Sequence, residues 1–331
     1  MTDLNSLTRA VRFVRSQGAK HIALCYWDKL PFAVKLRMQL SDWGVTAVIQ
    51  ADGRASTFEQ KRKSVVVLTP EQACGFEPLD AIIVVDQSQF AWILRCIENV
   101  LQRDVLVIPA NKDWIVPESL PKLTLQEALQ ESIPVEYVAR SGLSGHYLEF
   151  GTYWGRSFFP AYFRFRHSLK GSFYAFDSFA GLSEPMKEET MYTGGDFQHH
   201  TYNFGLRSFQ SIAKLLDVDA ARLKVVSGYY AQTLTNHEPT EYGLEPGSVS
   251  VCVIDCDLYE PTSQVLDFIT PLLQPGSLLY FDDWRLCRAS PKVGERAAAL
   301  AWLKAHPEIE LTELHRSHWQ NQWFIFNNNA G

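Results

Sequence analysis

The chain has 331 residues, enough for two domains of ordinary size, and its 46% hydrophobic and 21% charged residues are typical of a globular protein. A net charge of −6, with no basic run longer than Lys61-Arg62-Lys63, argues against a nucleic-acid-binding surface. No apolar stretch is long enough to span a membrane, and six cysteines without a CxxC pair predict reduced thiols in a cytoplasmic protein.

The first 120 residues alternate strand-like and helix-like patterns, which predicts a small α/β domain with parallel strands. Helices are predicted at Leu4–Ser16, Phe32–Trp43 and Phe90–Leu101, and strands at His21–Trp27, Thr46–Gln50, Ser64–Leu68, Ala81–Val85 and Asp104–Ile108. The turn Asp28–Pro31 has no glycine to let a phosphate approach, which argues against a nucleotide site. Packing, homodimer formation and shaping of a substrate pocket are the roles left open.

The sequence predicts a linker at residues 121–140, which includes a helix at Leu123–Ser132. It predicts a second, larger α/β domain at residues 141–331. Its first strand, His146–Phe150, leads into the turn Gly151–Ser157 and then a helix that ends at Phe165. Backbone N–H groups and a helix N-terminus can receive an anionic group in such a turn. Alone the signal is weak, because a glycine pair also fits a plain tight turn.

The next strand, Ser172–Phe176, ends in Asp177 and Ser178, where nucleoside-binding α/β folds grip the ribose hydroxyls. The alternative is that Asp177 only caps a turn. The irregular segment Gly181–Asn203 follows, and a loop of this length predicts a lid or a binding loop. Its adjacent histidines, His199 and His200, are candidate acid/base groups, although such pairs are more often simply exposed.

Two later strands each end in a pair of carboxylates. The run from Val249 ends in Asp255 and Asp257, and the run from Ser277 ends in Asp282 and Asp283. Buried strands of this kind end at the ligand crevice of an open α/β sheet, so the four groups are expected to converge. Crowded carboxylates need a cation, a proton or a hydroxyl-rich ligand. Each aspartate could instead cap the following turn, but two neighbouring strands that end alike favour a site.

The remaining elements complete an α/β pattern that ends in a hairpin. They are helices at Phe204–Leu216, Thr262–Leu273 and Gly294–Ala305, a strand at Leu223–Ser227 that runs into Gly228, and hairpin strands at Glu310–His315 and Gln322–Phe326.

Four segments together resemble the macrocin O-methyltransferase (TylF-like) family of class I S-adenosylmethionine (SAM)-dependent methyltransferases: LEFGTYWGRS, YAFDSFAGLSEP, DCDLYEPTSQVL and LLQPGSLLYFDDW. The resemblance covers about residues 140–327. It implies a Rossmann-like domain, with a seven-stranded, mostly parallel sheet and a C-terminal antiparallel hairpin. Two features depart from it: Arg156 stands where the family often has a second glycine, and the first domain lies outside the resemblance.

The resemblance also implies a set of site residues. SAM would be bound by Glu149, Gly151, Thr152, Tyr153, Gly155, Ser157, Asp177, Ser178, Ser227, Gly228 and Asp255. A divalent ion, Mg²⁺, would be held by Asp255, Asp282 and Asp283. The candidate catalytic groups are Asp255, Asp257, His199 and His200, of which Asp257 or a histidine would take the proton of the acceptor.

The expected function is SAM-dependent O-methylation of a hydroxyl on a small molecule such as a sugar or a phenol, with the cation lowering the hydroxyl's pKa. The alternative is a non-catalytic SAM-binding or scaffold protein that acts through its first domain, although a scaffold has no need for four converging carboxylates. An NAD-linked oxidoreductase is disfavoured because neither domain has a GxGxxG motif.

Overall fold

The structure is a computed structural model that describes residues 4–27, 34, 45–51, 65–87, 89–97, 100, 104–117, 119–122, 124, 127–128, 132–193 and 198–329. The turn Asp28–Pro31 and almost all of the helix predicted at Phe32–Trp43 lie outside these residues, as does most of the helix predicted at Leu123–Ser132. The chain forms two compact units, Met1–Pro117 with Tyr202–Val218, and Glu118–Thr201 with Asp219–Gly331. No helix within the described ranges is long and apolar enough to cross a membrane.

The first unit is built on a five-stranded parallel sheet with the order β3-β2-β1-β4-β5. Its strands are β1 Ile22–Tyr26, β2 Val45–Gln50, β3 Val66–Leu68, β4 Ala81–Val84 and β5 Leu106–Pro109. Its first helices are α1 Leu4–Ser16, α2 Pro70–Cys74 and α3 Phe90–Cys96, followed by a 3-10 turn at Lys112–Trp114. The central strands β1 and β4 are buried along their whole length, which explains their unbroken apolar sequence.

The second unit is built on a seven-stranded sheet with the order β11-β12-β10-β9-β6-β7-β8. Its strands are β6 His146–Phe150, β7 Phe173–Asp177, β8 Leu223–Ser227, β9 Val249–Ile254, β10 Leu273–Phe281, β11 Ile309–His315 and β12 Gln322–Asn328. Strand β12 runs antiparallel to both of its neighbours, and the other pairings are parallel. A seven-stranded, mostly parallel sheet with a C-terminal antiparallel hairpin was predicted, and the structure confirms this α/β fold class.

Eight helices follow residue 130 in the described part of the chain. They are α4 Ile133–Arg140, α5 Phe158–Phe165, α6 Lys187–Thr193, α7 Leu206–Leu215, α8 Tyr230–Thr233, α9 Tyr259–Ile269, α10 Leu286–Ala289 and α11 Gly294–Ala305, and 3-10 turns lie at Leu120–Lys122, Pro239–Tyr242 and Thr270–Leu272. Helix α10 is irregular, because Cys287 and Arg288 have left-handed backbone angles.

Helix α7 follows β7 in the chain but belongs to the first unit. It packs against β5, where the Ser208 hydroxyl accepts a hydrogen bond from Val107 N at 2.9 Å. Phe209 and Ile212 on the same helix are fully buried. The sequence-based boundaries placed this helix within residues 141–331, so the first sheet takes one helix from the second half of the chain.

Two differences from the predicted elements lie close to the predicted site residues. The segment Gly181–Asn203 contains helix α6, where the sequence indicated an irregular loop. The strand predicted from Ser277 begins earlier, at Leu273, because the pairing of β10 with β9 shifts register between Leu273 and Leu278 and so accommodates Pro275 and Gly276.

Candidate active site

The register of the second sheet brings the ends of five strands to one level. Phe150 of β6 pairs with Ile254 of β9, and Ile254 pairs with Phe281 of β10. Consequently the next residues, Gly151, Asp255 and Asp282, follow one another across the carboxyl edge of the sheet. On the other side of β6, Phe150 pairs with Phe176, and Asp177 pairs with Ser227. The cofactor-site and metal-site residues predicted at strand ends therefore share one edge.

The glycine turn after β6 passes very close to the end of β9. Gly151 has φ +89°, and a Cβ there would lie 1.7 Å from the backbone oxygen of Asp255. Gly155 has φ +84°, and its Cβ would lie 2.1 Å from the ring of Phe159. Both positions therefore require glycine for backbone angle and for space. Tyr153 between them also has a positive φ, and its N–H donates to the Asp177 carboxylate at 2.7 Å.

Glu149 lies fully buried one residue before the end of β6. One carboxylate oxygen accepts from the hydroxyl of Ser157 at 2.7 Å, and the other accepts from the hydroxyl of Tyr147. Burial is the main cause that raises the pKa of Glu149 to about 7, against partial lowering by these two hydroxyl groups. The side chain is therefore poised between its neutral and charged forms near neutral pH.

Asp177 ties the end of β7 to the glycine turn. Its carboxylate accepts from Phe179 N at 2.6 Å as well as from Tyr153 N, and burial raises its pKa. Ser178 closes a local turn instead, because its hydroxyl donates to Gly181 O at 2.6 Å and accepts from Ala180 N at 3.0 Å.

The end of β8 lies beside Asp177. The N–H of Gly228 donates to the backbone oxygen of Asp177 at 2.9 Å, and the preceding Ser227 is exposed. The buried hydroxyl of Thr152 has no hydrogen-bond partner among the described residues.

A cluster of carboxylates occupies the ends of β9 and β10. Oxygens of Asp255, Asp283 and Glu295 all lie within 4.8 Å of one another. Asp283 is buried, one of its oxygens accepts from the Gln320 side chain, and Oδ2 has no hydrogen-bond partner in the described part of the chain. Asp282 accepts a hydrogen bond from the Tyr280 hydroxyl. Glu295, in the first turn of α11, was not among the predicted residues.

Burial and mutual repulsion dominate the electrostatics of this cluster. The pKa values of Asp255, Asp257 and Glu295 are raised well above their ordinary values, first by burial and then by the neighbouring carboxylates. The pKa of Asp283 is also raised by burial. Such a group is stable only when protons or a cation offset the charge.

The two predicted histidines lie on the β7 and β8 side of the edge. Nδ1 of His200 lies 3.0 Å from Ala180 O and 3.3 Å from the Tyr229 hydroxyl, next to Gly228. His199 stacks on His200 and lies 3.4 Å from Glu184. Both side chains are exposed. These contacts put the histidines beside the predicted ribose-binding residues.

The residues present fit both groups that the sequence implies. All candidate ligand atoms in the cluster are carboxylate oxygens, which Mg²⁺ prefers. Oδ2 of Asp283 has no hydrogen-bond partner among the described residues, so it could bind a cation. For SAM, the two glycines let the turn after β6 pass against the end of β9, and the buried Thr152 hydroxyl, which has no partner among the described residues, can serve as a hydrogen-bonding group.

The sheet order and the glycine turn after β6 are those of the Rossmann-like fold that class I SAM-dependent methyltransferases have. The family described as macrocin-O-methyltransferase (TylF) matches residues 124–299, more than half of the chain. The chain belongs to this family, and it is a SAM-dependent O-methyltransferase. Family membership favours an enzyme over the non-catalytic alternative.

Several solved structures are similar to the chain. The O-methyltransferase NovP is 17% identical, with 61% of this chain and 78% of that chain covered and a TM-score of 0.46. CalS11, a calicheamicin methyltransferase, is 21% identical, with 61% and 79% covered and a TM-score of 0.47. An O-methyltransferase from Bacillus cereus in complex with SAH is 14% identical, with 65% and 94% covered and a TM-score of 0.38. The comparison with curated proteins gave no match.

Proposed function

We propose that the chain transfers the methyl group of SAM to a hydroxyl of a small molecule, with a divalent cation bound at the carboxylate cluster. One observation carries this proposal: the backbone of the glycine turn touches the backbone of Asp255, the first residue of the cluster. A cofactor on the turn and an acceptor at the cluster would therefore be neighbours, which methyl transfer requires.

Residues on the β6 to β8 side would hold the cofactor. When bound, SAM supplies an electrophilic methyl group on a sulfonium centre. Asp177 would accept from the ribose hydroxyls, since each of its oxygens keeps a lone pair beyond the N–H groups of Tyr153 and Phe179. Glu149, Thr152 and the N–H groups after Gly151 would orient the rest of the molecule.

Residues on the β9 and β10 side would hold the cation and the acceptor. Asp255 and Asp283 would be ligands, with Asp282 beside them, and a bound Mg²⁺ would act as a Lewis acid that lowers the pKa of the acceptor hydroxyl. These carboxylates would fix the acceptor oxygen in line with the methyl group. Asp283 and Glu295 are buried, which would limit the access of water to the cation side.

Asp257 is the better candidate for the group that removes the hydroxyl proton. A general base must lie within hydrogen-bond reach of the proton it takes. The Asp257 carboxylate interacts electrostatically with Asp283 and Asp255, so it lies at the cluster that would hold the acceptor. His200 contacts Ala180 and Tyr229 instead, so we assign it to the cofactor side.

The proposal also covers the chemical class of the acceptor, the location of the protein and the role of its first domain. A hydroxylated sugar or phenol fits the cluster, because a hydroxyl oxygen is a suitable cation ligand. All six cysteines are free thiols, which supports a cytoplasmic location. We propose that the predicted first domain, residues 1–120, selects the acceptor or forms a homodimer.

The test is calorimetric titration of the full chain with SAM and, separately, with Mg²⁺. We expect wild-type protein to bind both, and Asp283→Asn to weaken Mg²⁺ binding more than about tenfold while SAM still binds. Asparagine can keep the oxygen that Gln320 contacts and replaces the unpaired Oδ2 by an amide nitrogen, so it removes one ligand atom. Release of SAH with hydroxylated sugars or phenols should stop in this variant and in chelator.

A matched control is Asp267→Asn, because Asp267 is an exposed carboxylate on helix α9. It should bind SAM and Mg²⁺ as the wild type does. Full SAH release by Asp283→Asn, or by wild type in chelator, would contradict cation assistance. A wild-type chain that binds no SAM would contradict the proposed enzyme.

A further inference from the structure

We propose that Glu295 is a positioning residue for the cation site and not one of its ligands. Its side chain is fully buried in the first turn of α11. Oε1 accepts from Cys256 N at 2.8 Å and Asp257 N at 3.3 Å, and Oε2 accepts from Asp283 N at 2.9 Å. One carboxylate therefore joins the turn after β9 to the turn after β10. The inference rests on the proposed cation site.

The hydrogen bonds separate this role from that of a ligand. Glu295 lies within 4.8 Å of Asp255 and Asp283, so distance alone would admit it to the coordination sphere. However, Oε1 already accepts from two N–H donors and Oε2 from one, which leaves a single lone pair on the carboxylate for any further contact. Oδ2 of Asp283 has no such partner among the described residues. The geometry thus leaves Asp283 to hold a cation and uses Glu295 to fix the backbone.

The turn after β9 needs a fixing group because its backbone is unusual. Asp257 has φ +61°, an unfavourable angle for a residue with a side chain, and Leu258 N donates to Cys256 O across a very tight turn. Without Glu295, the N–H groups of Cys256 and Asp283 would be buried without their partner. Holding both turns in place before any ligand arrives is what makes a metal site precise.

The first experiment is amide hydrogen exchange of the full chain without added cation. We expect Glu295→Ala to speed exchange about 10- to 100-fold in both turns, because a hydrogen bond to a carboxylate is lost in each. Glu295→Gln keeps only one acceptor oxygen, so it should expose one turn and spare the other. Lys304→Gln, on the exposed face of α11, should leave both turns protected. Unchanged exchange in Glu295→Gln would overturn the proposal.

The second experiment is Mn²⁺ binding followed by electron paramagnetic resonance. We expect Glu295→Gln to weaken binding about tenfold, as loss of a supporting group usually does. Asp283→Asn should weaken Mn²⁺ binding while leaving exchange in both turns as in the wild type. Weakened binding in Glu295→Gln with wild-type exchange would make Glu295 a ligand and overturn the proposal. Faster exchange in Glu295→Gln with unchanged Mn²⁺ affinity would also overturn the proposal, because Glu295 would then fix the turns without supporting the cation site.

These measurements also distinguish failure of the proposed cation site from failure of the role proposed for Glu295. If wild-type protein binds no Mn²⁺, the proposed cation site fails, whereas hydrogen exchange still decides whether Glu295 fixes the turns. SAM binding and circular dichroism serve as tests of folding for every variant. Should Glu295→Ala not fold, the near-isosteric Glu295→Gln carries the test.

Discussion

Glu149 makes the stability of the chain depend on pH. Its pKa is about 7 in the folded protein, against 4.5 as the ordinary value, because the carboxyl group is buried. The native state therefore holds a proton between these two pH values where the unfolded chain has released it. The stabilisation is complete below pH 4.5 and is lost as the pH rises through about 7. The difference corresponds to about 3 kcal/mol.

We expect Glu149→Gln to remove this contribution. Glutamine cannot ionise, and the hydroxyl groups of Tyr147 and Ser157 can bond an amide as well as a carboxyl. In denaturant unfolding without cation or SAM, the wild type should lose about 3 kcal/mol more than the variant between low and neutral pH. Parallel curves of unfolding free energy against pH would show that Glu149 does not titrate in this range.

At the level of single residues, carboxylates that directly follow buried strands indicated much of the candidate site. Asp255 and Asp283 lie at one edge because parallel strands in register end together. This pattern could not find Glu295, whose place depends on where α11 begins. That start follows a stretch in which Cys287 and Arg288 adopt left-handed backbone angles, and no sequence pattern indicates such angles for these residue types.

Helix α6 is held by a buried carboxylate instead of an apolar face. Glu189 is 1% exposed, whereas Met191 is 77% exposed on the same helix. The Glu189 carboxylate accepts from Met186 N at 2.8 Å, from Tyr259 N at 2.6 Å and from Gly294 N at 3.2 Å. Since Tyr259 and Gly294 begin α9 and α11, one carboxylate anchors the predicted lid segment to two helix N-termini.

We expect Glu189→Gln to release this segment. The loss of hydrogen bonds to a charged acceptor should raise the rate of tryptic cleavage after Lys187 by about 10- to 100-fold. Glu188→Gln is the matched control, because Glu188 is an exposed neighbour on the same helix. Equal cleavage rates for the two variants would mean that Glu189 does not anchor the segment.

The same contrast explains which elements the sequence could predict. Strands such as β6 and β9 are buried on both faces, so their apolar runs stand out. Helix α6 has seven residues and no apolar stripe facing the core, and its stability depends on backbone groups that are distant in sequence. Periodicity carries no information about such a contact, and the segment therefore reads as a loop.

On the scale of the whole molecule, each of the two units is built from two separate segments of the chain. The chain leaves the first unit after Pro117, returns for Tyr202–Val218 and leaves again. Sequence patterns predicted two α/β domains from two series of strands, and each of the two units has its own sheet. The patterns could not assign α7, since an amphipathic helix shows that it packs on something and does not show on what.

A mutation in α7 should therefore destabilise the sheet of the first unit. Phe209 is fully buried, and its helix packs against β5, so Phe209→Ala should cost about 3–5 kcal/mol through lost burial and a cavity. Hydrogen exchange in full-length protein should show the loss in Leu106–Pro109, which lies far away in sequence. Phe163→Ala, an equally buried change on α5 in the second unit, should leave Leu106–Pro109 protected. If both variants leave Leu106–Pro109 unchanged, then α7 adds nothing to the first sheet, and the second half of the chain would be a self-contained domain.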